Sequence, residues 1–300
     1  MPKEIETAGA AALYLDLMKR VLTDSIYVDD PLAWFTPYRT KPTTPRLKRA
    51  LIAALQHFLA RYRLRLVAPY GPSGFNYSTV VLKELEAMRE RGTCWPPRAH
   101  TMIGLKRLDH LQYCAEAVIR EGVPGDFIET GVWRGGACIF MRAILKAYGE
   151  KERAVWVADS FEGLPPPDPD TYPADVDDQF HTYSQWLAIS REQVERNFRR
   201  YGLLDQQVRF LKGWFKDTLP NASIERLAIL RLDGDMYEST IQALDALYPK
   251  LSLGGFVIID DYFFQPCAQA VRDFRGAHGI NDEIIDIDLE GRGSYWRRSI

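Results

Sequence analysis

The sequence predicts an α/β fold in which a mostly parallel sheet of seven strands carries helices on both faces. Three observations favour it. From about residue 125, short apolar runs alternate with segments of helical periodicity, which is typical of strand, helix, strand units. Acidic residues directly follow several of these runs, and the glycine-rich turn Gly131 to Gly136 follows the first. Ligands of open parallel sheets bind at the carboxyl ends of the strands, so we expect the functional site there.

Four carboxylates are predicted to lie at that edge, where two neighbouring strands end. One apolar run, Leu227 to Leu232, precedes two of them, and the run Phe256 to Ile259 precedes the others. A helix over Thr240 to Lys250 and a turn at Gly254-Gly255 would join the two strands by a right-handed crossover. The four acids are Asp233, Asp235, Asp260 and Asp261. Clustered carboxylates repel one another, so a bound divalent cation would stabilise them, although helix caps and solvated loop charges are the alternative reading.

The composition is that of an ordinary globular protein and excludes several classes. The 300 residues are 46% hydrophobic and 26% charged, and a net charge of −2 gives no reason to expect nucleic acid as a partner. The first residues lack the pattern of a signal peptide, and no apolar run approaches the roughly eighteen residues that span a bilayer, so we expect no stable membrane insertion. The four cysteines are widely spaced without a CxxC pair, which favours a reducing cytoplasm over a disulfide framework or a zinc site.

Residues 1–98 are predicted to form a helical extension, and residues 99–300 the main domain. In the extension, Ala11 to Ile26 shows an apolar stripe at helical spacing, which is typical of a helix that faces a core. The segment Arg39 to Arg65 has eight Lys or Arg residues and no acid. We interpret it as a basic amphipathic helix with a solvated face or a subunit contact, in preference to a membrane surface or an acidic substrate.

The glycine-rich turn and the end of the next strand indicate a nucleoside-type ligand. Glycines let the backbone turn sharply and approach a ligand, and the helix from Ala137 points its N-terminal amides at the same place. Asp159 follows the strand Ala154 to Ala158, where a Rossmann-like fold places the acid that binds a ribose. The turn has the spacing G-x-x-x-G-G rather than GxGxxG, and the chain has no YxxxK pair. Both facts argue against NAD and leave an adenosyl cofactor.

Three further features complete the prediction. Leu164 to Ser184 is rich in proline and acids and lacks periodicity, so we expect a lid or a disordered loop. Trp214 follows a third strand, Val208 to Leu211, where its ring would bracket an adenine or simply pack. Strands over Glu283 to Leu289 and Ser294 to Arg298 predict a terminal hairpin.

Taken together, these stretches resemble the macrocin O-methyltransferase family, whose members methylate sugar hydroxyls of antibiotics with S-adenosylmethionine (SAM). The resemblance rests on FIETGVWRGG, VADSFEGLP, GWFKDTLP, LRLDGDMYEST and GGFVIIDDY, with LYLDLMKRVLTDSIY near the start, AHTMIGLKRLD before the first strand and YWRR near the end. It covers about two thirds of the chain. It implies a class I SAM methyltransferase fold, a glycosylated or saccharide acceptor, and a homo-oligomer, dimer or tetramer, built partly through the N-terminal helices.

The resemblance also implies residue roles. Mg²⁺ is held by the first Asp of DGD and both Asp of IDD, which are Asp233, Asp260 and Asp261, and Asp235 is the general base. The residues implied to contact SAM are Thr101, Met102, Ile103, Glu129, Thr130, Gly131, Gly135, Asp159, Ser160 and Trp214. Elementary chemistry agrees, because a sugar hydroxyl is too weakly acidic to be a good nucleophile at neutral pH, and a cation lowers its pKa.

Two other functions stay open at this point. A catechol-type O-methyltransferase would use the same carboxylates, since vicinal phenols chelate metals. A non-catalytic protein that binds SAM or a nucleotide is the other alternative, but it would have no need of the four acids.

Overall fold

A seven-stranded sheet lies at the centre of the protein in a computed structural model, which describes residues 2–26, 35–37, 45–61, 67–69, 82–93, 98–288 and 292–299. The helices are α1 (Pro2–Leu22), α2 (Arg46–Arg61), α3 (Leu82–Arg91), α4 (Gly104–Arg120), α5 (Gly136–Ala147), α6 (Ser184–Leu187), α7 (Arg191–Arg200), α8 (Phe215–Thr218), α9 (Tyr237–Leu247) and α10 (Gln265–Ala277). The strands are β1 (Phe35–Pro37), β2 (Val67–Pro69), β3 (Asp126–Thr130), β4 (Val155–Asp159), β5 (Val208–Lys212), β6 (Leu227–Leu232), β7 (Leu251–Ile259), β8 (Ile285–Asp286) and β9 (Ser294–Arg297).

The central sheet has the order β5-β4-β3-β6-β7-β9-β8. Strands β3 to β7 pair in parallel, while β9 pairs antiparallel with both β7 and β8. The sequence prediction of seven strands with a terminal hairpin is therefore confirmed. Because β4 and β5 are added on one side of β3, and β6 and β7 on the other, the carboxyl ends of the neighbouring strands β3 and β6 border a crevice of the kind that binds ligands.

Apolar side chains fill both faces of the sheet. All six residues of β6 are buried, as expected for a strand covered on two sides. Residues of α1, α4, α5 and α7 form one continuous apolar core with one face, and residues of α9 and α10 form another with the opposite face. Within the described part of the chain, none of the helices combines the length and the apolar character needed to cross a bilayer.

The N-terminal extension is helical in most of its described residues, but it also contains the antiparallel pair β1 and β2. Leu15, Met18 and Leu22 of α1 lie in the same apolar core as the sheet. The boundary at residue 98 stays a prediction. The sequence also predicts a loop at Gly71 to Tyr77, which lies outside the described residues, as do Cys94 and the parts 39–44 and 62–65 of the basic segment.

Three local predictions differ from the structure. Helix α9 begins at Tyr237 rather than Thr240, and a 3-10 helix over Tyr248–Lys250 follows it. Gly254-Gly255 lies inside β7 instead of forming a turn. Close packing against β6 explains the glycine at 255, where a Cβ would stand 2.9 Å from the carbonyl oxygen of Ala228. The proline-rich loop contains 3-10 helices at residues 173–175 and 180–183.

Candidate active site

Three aspartates meet at the carboxyl ends of β6 and β7. Asp233 follows β6, Asp260 and Asp261 follow β7, and one oxygen from each carboxylate lies within 4.8 Å of the others. The two strands are parallel neighbours, and the backbone N–H of Asp260 donates to the carbonyl of Leu232 at 2.9 Å. The pairing of the strands therefore brings together the three residues predicted as metal ligands.

A buried guanidinium lies beneath these carboxylates. Arg231 is 1% exposed, and it donates to Asp233 at 2.7 Å, to Asp260 at 2.5 Å and to Glu129. Burial opposes its charge, but Asp260 and Asp233 outweigh burial and raise the pKa of Arg231 well above its ordinary value. The arginine is thus a permanent cation that fixes the orientation of three carboxylates.

A second arginine ties the acidic cluster to the segment before α4. Arg107 donates from Nη1 to Asp260 Oδ2 at 2.5 Å and from Nε to the carbonyl of Ile103 at 2.8 Å. Ile103 is 3% exposed. It is the last residue of the segment Thr101 to Ile103, which was predicted to cover the cofactor. Asp260 is consequently held from below by Arg231 and from the side by Arg107.

The fourth carboxylate, Asp235, stands in a strained turn beside the other three. Its φ of 58° lies in the left-handed region, and its backbone N–H donates to Asp261 Oδ2 at 3.1 Å. Burial, and then the charge of Asp233, raise the pKa of Asp235 well above its ordinary value. Burial followed by the charge of Asp260 raises the pKa of Asp233 to about 6.

Negative charge exceeds positive charge in this cluster. Glu129 and the four aspartates face the guanidinium groups of Arg231 and Arg107, so protons or a cation must balance the excess. Burial and the neighbouring Asp235 raise the pKa of Asp261 well above its ordinary value. Oxygen donors are the ligands that Mg²⁺ prefers, so the donor set of Asp233, Asp260 and Asp261 fits this ion.

Glycines bring the first turn of the fold against the acidic cluster. Gly131 has a φ of 86°, and a Cβ there would stand 1.7 Å from the carbonyl oxygen of Asp233. Only glycine allows this approach. Gly135, at the N-terminus of α5, also has positive φ, and a Cβ there would stand 2.7 Å from Val194 of α7. Gly131 thus faces the site, whereas packing against α7 explains Gly135.

The side chains of Glu129 and Thr130 point into the protein. Glu129 Oε2 accepts from the N–H and the thiol of Cys138 at 3.1 and 2.9 Å, and Oε1 accepts from Arg231. Burial raises the pKa of Glu129 to about 7. The hydroxyl of Thr130 donates to the carbonyl of Arg231 at 3.5 Å.

Two cavities meet at Asp233 and Asp235. The first has a volume of about 310 Å³, and five of the predicted cofactor residues line it: Met102, Gly131, Asp159, Ser160 and Trp214. The second, of about 330 Å³, is lined by Thr101, Met102, Ile103, Glu129, the four aspartates and the rings of Phe180, Phe263 and Phe264. Met102, Trp133, Leu187, Asp233 and Asp235 border both.

Asp159 is one of the residues that line the first cavity. Its Oδ2 accepts from the N–H of Val132 at 2.7 Å, and its Oδ1 accepts from the N–H of Phe161 at 2.6 Å. Burial raises the pKa of Asp159, while these amides act in the opposite direction. The hydroxyl of Ser160 donates to the carbonyl of Gly163 at 2.7 Å. The carboxylate is therefore held rigidly beside the glycine-rich turn.

Sequence reasoning missed two arginines, Arg231 and Arg107, and three phenylalanines that form an aromatic wall of the second cavity. Arg231 carried a signal, because it is a charged residue in the middle of the apolar run that becomes β6. Arg107 gave none, since its partner Asp260 lies 153 residues away. The aromatic wall combines Phe180, from the proline-rich loop, with Phe263 and Phe264, which follow β7.

The family described as Macrocin-O-methyltransferase (TylF) matches residues 11–298. The chain belongs to the macrocin O-methyltransferase family. It is therefore an O-methyltransferase, and the resemblance read from the motifs is confirmed.

The chain is similar to three O-methyltransferases that are named for natural products. The chain is 49% identical over 293 residues to the 8-demethyl-8-(2,3-dimethoxy-alpha-L-rhamnosyl)-tetracenomycin-C 4'-O-methyltransferase of Streptomyces olivaceus, covering 98% of this chain and 95% of the relative. It is 57% identical over 217 residues to the Mycinamicin III 3''-O-methyltransferase of Micromonospora griseorubida, covering 72% and 85%. Identity to the Demethyldecarbamoylnovobiocin O-methyltransferase of Streptomyces niveus is 46% over 295 residues, covering 98% and 96%.

Solved structures agree on the fold. The O-methyltransferase NovP is 45% identical and superposes with a TM-score of 0.76, covering 97% of this chain and all of that one. The calicheamicin methyltransferase CalS11 is 20% identical with a TM-score of 0.53, covering 77% and 99%. The macrocin O-methyltransferase fold of this chain is thus the class I SAM methyltransferase fold that the sequence predicted.

Proposed function

We propose that this protein is a SAM- and Mg²⁺-dependent O-methyltransferase that acts on a hydroxyl of a sugar, in a glycosylated natural product or another saccharide. The observation that carries the proposal is the meeting of two cavities at Asp233 and Asp235. A methyl donor in the first and a sugar in the second would bring sulfonium and hydroxyl together beside the acidic cluster. The names of the relatives support a sugar acceptor.

The first cavity suits SAM. Asp159 would accept from the ribose hydroxyls, Ser160 would lie next to it, and Trp214 would stack near the adenine. Gly131 leaves room for the methionine part, while Thr101 to Ile103 would cover the donor from the other side. Glu129, Thr130 and Gly135 would support the SAM site indirectly, because they shape the turn that carries Gly131.

Asp233, Asp260 and Asp261 would hold the Mg²⁺. When bound, the cation would lower the pKa of a sugar hydroxyl placed beside it. Arg231 and Arg107 support this function, because they orient Asp260 and Asp233 without occupying all of their lone pairs.

Asp235 would take the proton from the sugar hydroxyl. Asp235 lines both cavities beside Asp233, and burial makes a carboxylate a stronger base than a solvated one. Bound SAM would supply the methyl group, and the two cavities would hold the hydroxyl oxygen in line with the carbon–sulfur bond that breaks as S-adenosylhomocysteine leaves. The positive sulfonium needs no further activation.

The second cavity supports a neutral acceptor with an apolar part. The rings of Phe180, Phe263 and Phe264 form one side of it, and the acidic cluster forms the other. Aromatic faces stack on sugars and on apolar aglycones, whereas the surplus of carboxylates disfavours anionic acceptors.

We also propose a cytoplasmic homo-oligomer, a dimer or tetramer. Exposed leucines on α1 and α2, namely Leu13, Leu17, Leu47 and Leu51, support a further contact surface. The free and buried Cys114, Cys138 and Cys267 suit a reducing compartment.

Replacing the proposed base tests this function. Asp235→Asn should leave the affinity for SAM within about threefold and lower turnover by about a hundredfold or more, since proton transfer is lost. Turnover is measured as methyl transfer from labelled SAM to mycinamicin III and a panel of glycosides. Asp245→Asn, an exposed carboxylate on α9, is the matched control and should keep full activity. Unchanged turnover in Asp235→Asn would refute its role as the base.

A further inference from the structure

The proline-rich loop has one fully buried carboxylate, and its partners belong to a distant helix. Asp175 is 0% exposed, although the loop around it is mostly accessible. Its Oδ1 accepts from the N–H of Tyr237 at 2.8 Å, and its Oδ2 accepts from the N–H of Glu238 at 2.9 Å. These are the first two residues of α9.

Asp175 therefore caps a helix that cannot cap itself. The residue before α9 is Met236, whose side chain makes no capping hydrogen bond. The first amides of a helix lack partners within the helix, and a carboxylate there also benefits from the helix dipole. The cap comes instead from a residue 62 positions earlier in the chain.

The capped end of α9 is also the end that carries the proposed base. Asp235 precedes Met236 directly and occupies the left-handed region, so its position depends on how the helix begins. The backbone N–H of Met236 donates back to the carbonyl of Gly234 at 2.6 Å, which makes this turn tight. Fixing the amides of Tyr237 and Glu238 consequently fixes the turn from Gly234 to Met236.

The loop segment on the other side of this contact borders both cavities. Gly163 to Pro166 line the first cavity, and Phe180, Tyr183 and Leu187 line the second. Around Asp175, the hydroxyl of Tyr172 accepts from Gln242 at 3.3 Å. The ring of Tyr172 also lies 6.1 Å from that of Tyr237. Further along the loop, the ring of Phe180 packs edge-on against Phe264 at 5.2 Å.

We propose that Asp175 is a positioning residue that pins the segment 163–187 to the N-terminus of α9, and so couples the position of this segment to the placement of Asp235. The catalytic part of this inference rests on the proposed function. The coupling itself does not, because it concerns only contacts within the chain.

Hydrogen exchange of the full-length protein without ligands tests the coupling. In Asp175→Ala, the amides of Tyr237 and Glu238 and those of residues 176–187 should exchange at least tenfold faster than in the wild type, while β3 and β6 keep their protection. Asp175→Asn retains one carbonyl acceptor and should give an intermediate rate. Asp168→Ala is the matched control, because this exposed carboxylate accepts from Thr171 within the same loop.

Unchanged exchange at either segment in Asp175→Ala would overturn the proposal. Faster exchange throughout the sheet would also overturn it, since Asp175 would then be a determinant of the whole fold.

Kinetics with SAM, Mg²⁺ and mycinamicin III as the probe test the consequence for catalysis. Asp175→Ala should raise the KM for the probe and lower kcat, each about tenfold, with the SAM affinity within about threefold and partial rescue in Asp175→Asn. Wild-type kinetics in a variant whose two segments exchange faster would overturn the link to Asp235. A wild-type protein that methylates no glycoside would count against the proposed function, and exchange alone would then decide the role of Asp175.

Discussion

At the scale of single residues, Arg231 holds the acidic cluster together. Its guanidinium is buried with Glu129, Asp233 and Asp260, and removing it would take the arginine partner from Glu129 and Asp233 and leave Asp260 with Arg107 alone. Breaking a buried ion pair from one side costs about 3 to 5 kcal/mol. We expect Arg231→Met to lose about that much free energy of unfolding in urea without added metal, and the exposed Arg226→Met to change it by less than about 0.5 kcal/mol. A loss below about 1 kcal/mol in Arg231→Met would contradict this role.

Individual residues also show which features of the site could be predicted from the sequence. Asp233, Asp260 and Asp261 were predicted to meet because each follows an apolar run, and runs of this kind become neighbouring parallel strands. The ion pairs of Arg231 with Glu129 and Asp260, and of Arg107 with Asp260, join residues that are far apart in the chain, and no local pattern encodes such partners. The sequence thus predicted that the acids meet, but it did not predict the two arginines that orient them.

At the scale of elements, the glycine-rich turn must approach the end of β6. Gly131→Ala would place a Cβ 1.7 Å from the carbonyl oxygen of Asp233, so the turn or the strand end must move. We expect a loss of at least about 3 kcal/mol in unfolding free energy and weaker SAM binding in calorimetry. Gly149→Ala is the control: it also has positive φ, 70°, but nothing lies within 4 Å of the new Cβ, so only about 1 to 2 kcal/mol is lost. Equal losses would show that the close approach is unimportant.

The elements also differ in how accurately their bounds can be predicted from the sequence. The bounds predicted for β6 agree with the structure, because a buried strand is a continuous apolar run. The start of α9 was placed three residues late, since Asp175 supplies its cap from a distant loop. The glycine pair at 254 and 255 was taken as a turn, but close packing between strands requires small residues as much as turns do.

At the scale of the whole molecule, stability should fall in acid partly because of buried histidines. Burial lowers the pKa of His110 from 6.5 to about 4, and its ring lies 4.1 Å from that of Tyr295. Between these values the unfolded chain binds a proton that the folded chain does not, so the free energy of unfolding decreases as the pH falls through this window. Relative to His110→Phe, the wild type should lose roughly 2 to 3 kcal/mol between pH 7 and 4.5 in urea titrations. A constant difference would mean that the imidazole titrates in the folded protein as it does in the unfolded chain.

The central claim for the whole molecule is that an adenosyl donor binds beside the acidic cluster. Calorimetric titration with SAM and with NAD, each in Mg²⁺ and in EDTA, tests it most directly, with Asp159→Ala as the variant that removes the proposed ribose contact. We expect SAM to bind the wild type with a Kd of about 1 to 100 μM, Asp159→Ala to bind it at least about tenfold more weakly, and NAD not to bind. Binding of NAD, of neither ligand, or of SAM with unaltered affinity in Asp159→Ala would contradict the claim.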